Sequence, residues 1–195
     1  MKTVLLIDGG YLRASAQAVN KSYTVAFIET FSRLCFDSTE YIFRIIYYDS
    51  PQYKGRVQLP VSGLWHQFNP TDTLLDDLAK SERFACRYGS LGFRGWKPRS
   101  IPLSGGVPLS DSDFKPVFEQ KGVDMRIGLD VASFATRQSV DRIILTSGDT
   151  DMIPAMKQAR KSGLEVGMVQ LPAPAKRLHD NLQRHSDFIR NVNLP

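Results

Sequence analysis

Thr3-Val4-Leu5-Leu6-Ile7 runs directly into Asp8-Gly9-Gly10, and this stretch decides the fold. Five apolar or β-branched residues without alternation suit a strand covered on both faces, as in a parallel sheet, and Asp-Gly-Gly ends it. Working outward, the pattern predicts helices over Tyr11–Val19 and Thr24–Phe36 and a second strand over Tyr41–Tyr48. Pro51–Pro70 has no clear period and reads as loop. A short helix is expected over Asp72–Lys80 and a strand over Phe84–Tyr88. From Gly89 to Lys115 the chain is rich in Gly, Pro and Ser and reads as a long irregular excursion. Helical spacing returns at Val123, Ile127, Val131 and Phe134. A strand over Asp141–Ser147, a helix over Asp151–Lys161, a strand over Glu165–Gln170 and a last short helix from about Ala175 complete the series. Strands alternating with helices define an α/β fold with a mainly parallel sheet.

Composition agrees with one globular domain over residues 1–195, interrupted by an irregular basic and aromatic excursion at about 83–120. Hydrophobic residues are 42% and charged residues 23% of the chain, which excludes a disordered or collagen-like polymer. No apolar run approaches the ~20 residues of a membrane span, so no membrane partner is expected. The start, with a single Lys2 before Asp8, does not read as a signal peptide. Cys35 and Cys86 are isolated and have no metal-ligand spacing, so they read as small apolar residues in a reducing cytoplasm. A net charge of +5 is compatible with nucleic acid and does not establish it. The choice between monomer and homodimer is not legible.

Chemistry is suggested by where the carboxylates fall. Asp8 follows the first strand, and Asp149 and Asp151 follow the Asp141–Ser147 strand. Ligands of open α/β sheets bind beyond the carboxyl ends of the strands, which puts these three on one rim. Asp124, at the start of the Val123 helix, can face it too; Asp130 lies on the other shoulder of that helix's apolar stripe. Crowded carboxylates repel and are neutralised most simply by a hard divalent cation, Mg²⁺ or Mn²⁺. Taken singly, each Asp also suits a cap or a turn.

Three ordered segments, Val4-Leu-Leu-Ile-Asp8-Gly-Gly-Tyr-Leu12, Lys121-Gly-Val-Asp124-Met-Arg-Ile-Gly-Leu-Asp130 and Ile144-Leu-Thr-Ser147-Gly-Asp149-Thr-Asp151-Met-Ile-Pro154, resemble the NYN domain. More closely, they resemble the LabA/DUF88 branch of the PIN-like nucleases. The resemblance implies a Rossmann-like three-layer PIN/NYN fold and a metal-dependent ribonuclease. Asp8, Asp124 and Asp149 would hold the metal, with Asp151 as a fourth ligand or a residue just behind the ligands. Tyr11, Lys121, Asp130 and Ser147 would support them. Many relatives have Asn where this chain has Tyr11, which keeps open a non-catalytic RNA-binding or regulatory module. Ser147-Gly-Asp149-Thr-Asp151 also resembles the acidic loop of haloacid-dehalogenase-like phosphatases. Those enzymes need a second Asp two residues after the nucleophile, and here that residue is Gly10.

For RNA the candidates are Arg83, Arg87, Arg94, Lys97 and Arg99, with Trp96 interleaved. Arg and Lys neutralise phosphates and aromatics stack on bases. The same segment reads equally as a solvated loop whose aromatics pack inward. His66, His179 and His185 have no zinc-ligand spacing.

Overall fold

Strand β1 (Lys2–Asp8) leads into helices α1 (Gly9–Ala18) and α2 (Val25–Leu34) and strand β2 (Tyr41–Asp49). A hairpin, β3 (Gly55–Gln58) and β4 (Trp65–Phe68), passes through α3 (Leu74–Leu78) to β5 (Phe84–Tyr88). A second hairpin, β6 (Ser90–Pro98) and β7 (Phe114–Lys121), runs into the long helix α4 (Val123–Arg137). β8 (Arg142–Thr146), α5 (Ile153–Lys161), β9 (Glu165–Gln170), α6 (Asp180–Arg184) and β10 (Phe188–Asn191) follow. These elements come from a computed structural model that describes residues 1–101, 108–175 and 177–195.

Six strands form one sheet in the order β10-β9-β8-β1-β2-β5, and every neighbouring pair is parallel. β1 is central, and its residues alternate between two cores. Val4 and Leu6 pack with Ile127 and Val131 of α4 and Met156 of α5. Leu5 and Ile7 pack with Leu12 of α1 and Ile28 and Phe31 of α2. The sheet is thus the middle of three layers, which explains the unbroken apolar run of β1. Each such side chain, fully buried, stabilises the fold by roughly 1.5–3 kcal/mol. α2 starts at Thr24, whose hydroxyl accepts the Phe27 N–H at 3.2 Å. On α4, buried Val123, Ile127, Val131 and Ala135 recur every fourth residue and form its inner stripe.

From β1 the chain builds outward to β2 and β5, and later returns to the opposite flank of β1 with β8, β9 and β10. The reversal falls between β1 and β8. Connections leave these two strand ends towards different layers and open a crevice there.

Three stretches differ from the sequence pattern. At the C-terminal end the last helix, expected from about Ala175, is Asp180–Arg184 and is followed by the unexpected strand β10. The other two are hairpins. Within Pro51–Pro70, read as loop, β3 and β4 pair antiparallel. Within Gly89–Lys115, read as irregular, β6 pairs antiparallel with β7, with a register shift between Phe93 and Gly95. Gly95, at φ 109, supplies the backbone conformation this bulge needs. Residues 102–107 of that excursion lie outside the described residues. The cause is tertiary: the hairpins pack on each other through Tyr53, Phe68, Phe93, Trp96 and Phe118. Phe68–Phe118, Tyr53–Phe118 and Phe93–Trp96 each have ring centroids 5.5 Å apart. Short polar strands gain their stability from this shared aromatic core rather than from their own pattern.

At the opposite end of the sheet, Glu40 accepts from Arg142 of β8 and Arg190 of β10, and its side chain is fully buried. Burial pushes the carboxyl up, but the Arg190 and Arg142 guanidiniums outweigh it and hold Glu40 below its ordinary value.

Candidate active site

The crevice between the ends of β1 and β8 is an open cleft of about 900 Å³. Asp8, Tyr11, Gln120, Asp124, Asp149 and His179 are among the residues lining it. Asp8 is both the last residue of β1 and the N-cap of α1, its Oδ1 accepting the Tyr11 N–H at 3.1 Å. The buried Ser147 donates its hydroxyl to Asp8 Oδ2 at 3.3 Å, and its Oγ accepts the Asp149 N–H at 3.2 Å. One serine thereby joins the two strand ends. Asp149 in turn caps the following turn, its Oδ1 accepting the Asp151 N–H at 2.8 Å. Asp124 enters from the first turn of α4, where the helix dipole favours a negative charge.

Electrostatics separates this cluster from the rest of the molecule. Burial pushes the Asp8 carboxyl up; the Tyr11 N–H opposes the rise and Asp124 adds to it. The Asp124 carboxyl is pushed up by burial, then by Asp149 and Asp151. Asp49, Asp130 and Asp187 each have an arginine partner, whereas Asp8, Asp124, Asp149 and Asp151 have no ion-pair partner among the described residues. An unneutralised carboxylate set offers only hard oxygen donors, which suits Mg²⁺ or Mn²⁺ in kind. Among the described residues no three His, Cys, Asp or Glu side chains stand at metal-holding spacing. The fit is therefore to an ion that keeps several waters and takes one or two carboxylates directly, the usual habit of Mg²⁺.

Tyr11 packs its ring on Gly148, where an added Cβ would come within 2.8 Å of it. Its hydroxyl is buried and has no partner among the described residues. Asp130 does not line the cleft: it accepts from Tyr48 Oη at 2.7 Å and Arg87 Nε at 3.2 Å, tying α4 to β2 and β5. Lys121 lies 3.8 Å from Glu119, and its neighbour Gln120 lines the cleft instead.

The structure does not gather the basic and aromatic candidates. Arg83 precedes β5, at the end of the sheet away from the cleft, and donates to the Ile42 carbonyl. Arg87 pairs with Asp130 and Arg94 with Glu119. Arg99 donates to the Ser112 carbonyl at 2.9 Å, and Lys97 is exposed. Trp96 sits in the hairpin core, its Nε1 donating to the Gln58 carbonyl at 2.8 Å.

The sequence reading missed Asp49. It is 1% exposed at the end of β2 and accepts from Arg13, from Tyr47 Oη at 3.1 Å and from Gln120 Nε2 at 3.1 Å. It closes its strand as Asp8 closes β1, so the same logic would find it. Gln120 and His179 carried no comparable signal.

A doubly wound parallel sheet with an acidic cleft at its topological switch point is consistent with the NYN/PIN-like fold. The chain belongs to the NYN domain family, which matches residues 2–190. A solved protein of unknown function from Vibrio parahaemolyticus RIMD 2210633 shares the fold, with a TM-score of 0.56. It is 14% identical, over 97% of this chain and 91% of that one. No curated protein matches the chain. No helix among the described residues is long and apolar enough to cross a membrane.

Proposed function

We propose that the chain is a metal-dependent ribonuclease of the LabA/DUF88 branch, hydrolysing RNA phosphodiester bonds. The observation that carries this is the set of unpaired carboxylates, Asp8, Asp124 and Asp149, lining one cleft at the β1–β8 switch point, with Asp151 outside the lining but near enough to raise the Asp124 carboxyl. Asp8, Asp124 and Asp149 would hold Mg²⁺ or Mn²⁺ between them, one or two directly and the rest through its waters. Such an ion, when bound, polarises a phosphodiester oxygen and lowers the pKa of an attacking water. Ser147 fixes the Asp8 carboxylate against the Asp149 backbone, so both strand ends present their oxygens in one orientation. Asp151 orients a ligand or water at the cleft edge. Lys97 and Arg99, exposed on and just beyond β6, would supply phosphate contacts, with Arg94 joining them only on leaving Glu119.

The test is cleavage of single- and double-stranded RNA and DNA with and without Mn²⁺. RNA should be cut only with the cation, and Asp8→Asn, Asp124→Asn and Asp149→Asn should each abolish cutting while RNA still binds. Tyr11 in place of the relatives' Asn favours a second reading, a non-catalytic RNA-binding or regulatory module. RNA binding without cleavage, and no Mn²⁺-dependent thermal shift, would select it.

A further inference from the structure

The two glycines after Asp8 are bare because other elements press on the start of α1. A Cβ on Gly9 would meet the Tyr47 hydroxyl at 2.5 Å and Asp49 Oδ2 at 2.8 Å. A Cβ on Gly10 would stand 3.3 Å from Gln120 Oε1 and 3.4 Å from Asp8 Oδ1. The naked backbone therefore lets a buried polar cluster close against the helix and brings the Gln120 carbonyl beside the first carboxylate of the cleft. Gln120 reaches this place on the β6–β7 hairpin, paired with Leu91, and it is exposed.

The Gln120 amide has one orientation. Its Nε2 donates to Asp49 Oδ1 at 3.1 Å. A carboxylate only accepts, so the amino group faces Asp49 and the carbonyl oxygen is left for the cleft. Asp49 is itself fixed: it is buried and also accepts from Arg13, Tyr47 and the Ser50 N–H. Tyr47 Oη is held in turn by Tyr23 Oη, 2.8 Å away. A buried ion pair is costly to desolvate and gives a fold little net support. Here its visible effect is to aim one neutral oxygen. Gln120 Oε1 accepts no hydrogen bond among the described residues, and Gln120 lines the cleft that Asp8, Asp124 and Asp149 share.

We infer that Gln120 Oε1 accepts from the ribose 2′-hydroxyl of the nucleotide whose phosphate lies at the carboxylates, and so selects RNA over DNA, an inference that rests on the nuclease reading. An oxygen that only accepts needs a donor. A phosphodiester at neutral pH has none, whereas the adjoining ribose carries the 2′-hydroxyl, which DNA lacks. A neutral carbonyl also takes this bond without adding charge to an acidic cleft that must admit a polyanion.

The test is the affinity of a short single-stranded RNA, of the DNA of the same sequence with uracil in place of thymine, and of RNAs with one 2′-deoxy sugar at each position in turn. Fluorescence anisotropy with chelator present reads binding without metal-dependent cleavage. RNA should bind about fivefold more tightly than DNA, the worth of one neutral hydrogen bond, and one deoxy position should account for the loss. Gln120→Met keeps the length of the side chain and removes the acceptor. It should equalise the two polymers and erase the sensitive position, and Gln120→Ala should do the same. Thermal melts should hold, because Asp49 keeps Arg13, Tyr47 and the Ser50 N–H. Equal affinity for RNA and DNA in the wild type overturns the inference, as does a preference that both substitutions leave intact. A Mn²⁺-dependent thermal shift lost in Gln120→Met, with the ribose preference unchanged, assigns the carbonyl to an ion-bound water instead and overturns it too. Ribose preference in a chain that cuts neither polymer keeps the inference and removes the nuclease reading. Cleavage of RNA and DNA alike, with equal affinity, keeps that reading and removes the inference.

Discussion

The hydroxyl of Ser147 donates to Asp8 Oδ2 across 139 residues of sequence, and the same oxygen receives the Asp149 N–H. Ser147→Ala removes both bonds and leaves two part-buried polar groups without their partner. The expected cost is about 1–3 kcal/mol of stability. The Ser147 bond also lowers the Asp8 pKa, so the variant's Asp8 should titrate at higher pH. Carboxyl-carbon NMR reads this directly, and an unmoved Asp8 midpoint would show that the bond does not form in solution.

Neutralising the cleft should stabilise the protein when divalent cations are chelated. The folded Asp8 carboxyl is raised above its ordinary value of 3.8. The native state then binds more protons than the unfolded one between those two values, so stability falls as pH rises through that window. Asp8→Asn keeps an oxygen to accept the Tyr11 N–H and removes the charge. It should melt higher than wild type at pH 7, with the gap closing towards pH 4. A gap that widens on acidification would reverse the sign and count against a crowded site. Asp124→Asn should shift in the same direction.

Tyr11→Phe deletes a buried hydroxyl that has no partner among the described residues. Removing an unsatisfied group costs nothing in the fold, so the melting temperature should hold or rise. A fall of several degrees would mean the hydroxyl has an internal partner. Gly148→Ala acts on the same contact from the other side, since its Cβ would come 2.8 Å from the Tyr11 ring. It should cost about 1–3 kcal/mol by overpacking.

Glu40→Ala should lower stability by about 3–5 kcal/mol, because it leaves Arg142 and Arg190 without their shared buried carboxylate. Chemical denaturation measures the loss. Glu40 precedes β2, at the end of the sheet opposite the cleft, so a folded Glu40→Ala protein should keep its Mn²⁺ response. Loss of that response without unfolding would show that the two ends are coupled.

What could be read in advance follows from how far each signal travels along the chain. β1 announces itself because both of its faces are buried, and Asp8, Asp124 and Asp149 announce themselves because they sit at element ends. The hairpins were hidden for the opposite reason. Gly55-Arg-Val-Gln58 and Trp65-His-Gln-Phe68 have little apolar pattern, and what orders them is contact with Phe93 and Phe118 elsewhere. Glycines 92 and 95 read as breakers, but one is a strand residue and the other a bulge. Arg83, Arg87 and Arg94 looked free because their partners, the Ile42 carbonyl, Asp130 and Glu119, are distant in sequence.

The placement of β1 between β2 and β8 has a consequence for the chain during synthesis. Asp8 emerges early, but the strand and turn that complete its surroundings, Arg142–Thr146 and Asp149, are made much later. Until then one side of β1 has no neighbour and Asp8 has no Ser147 to bind. Non-local pairings of this kind form late because the intervening loop must close first. A half-made polypeptide therefore has one acidic corner and no cleft, and the acidic rim assembles only once Arg142–Thr146 and Asp149 have been made.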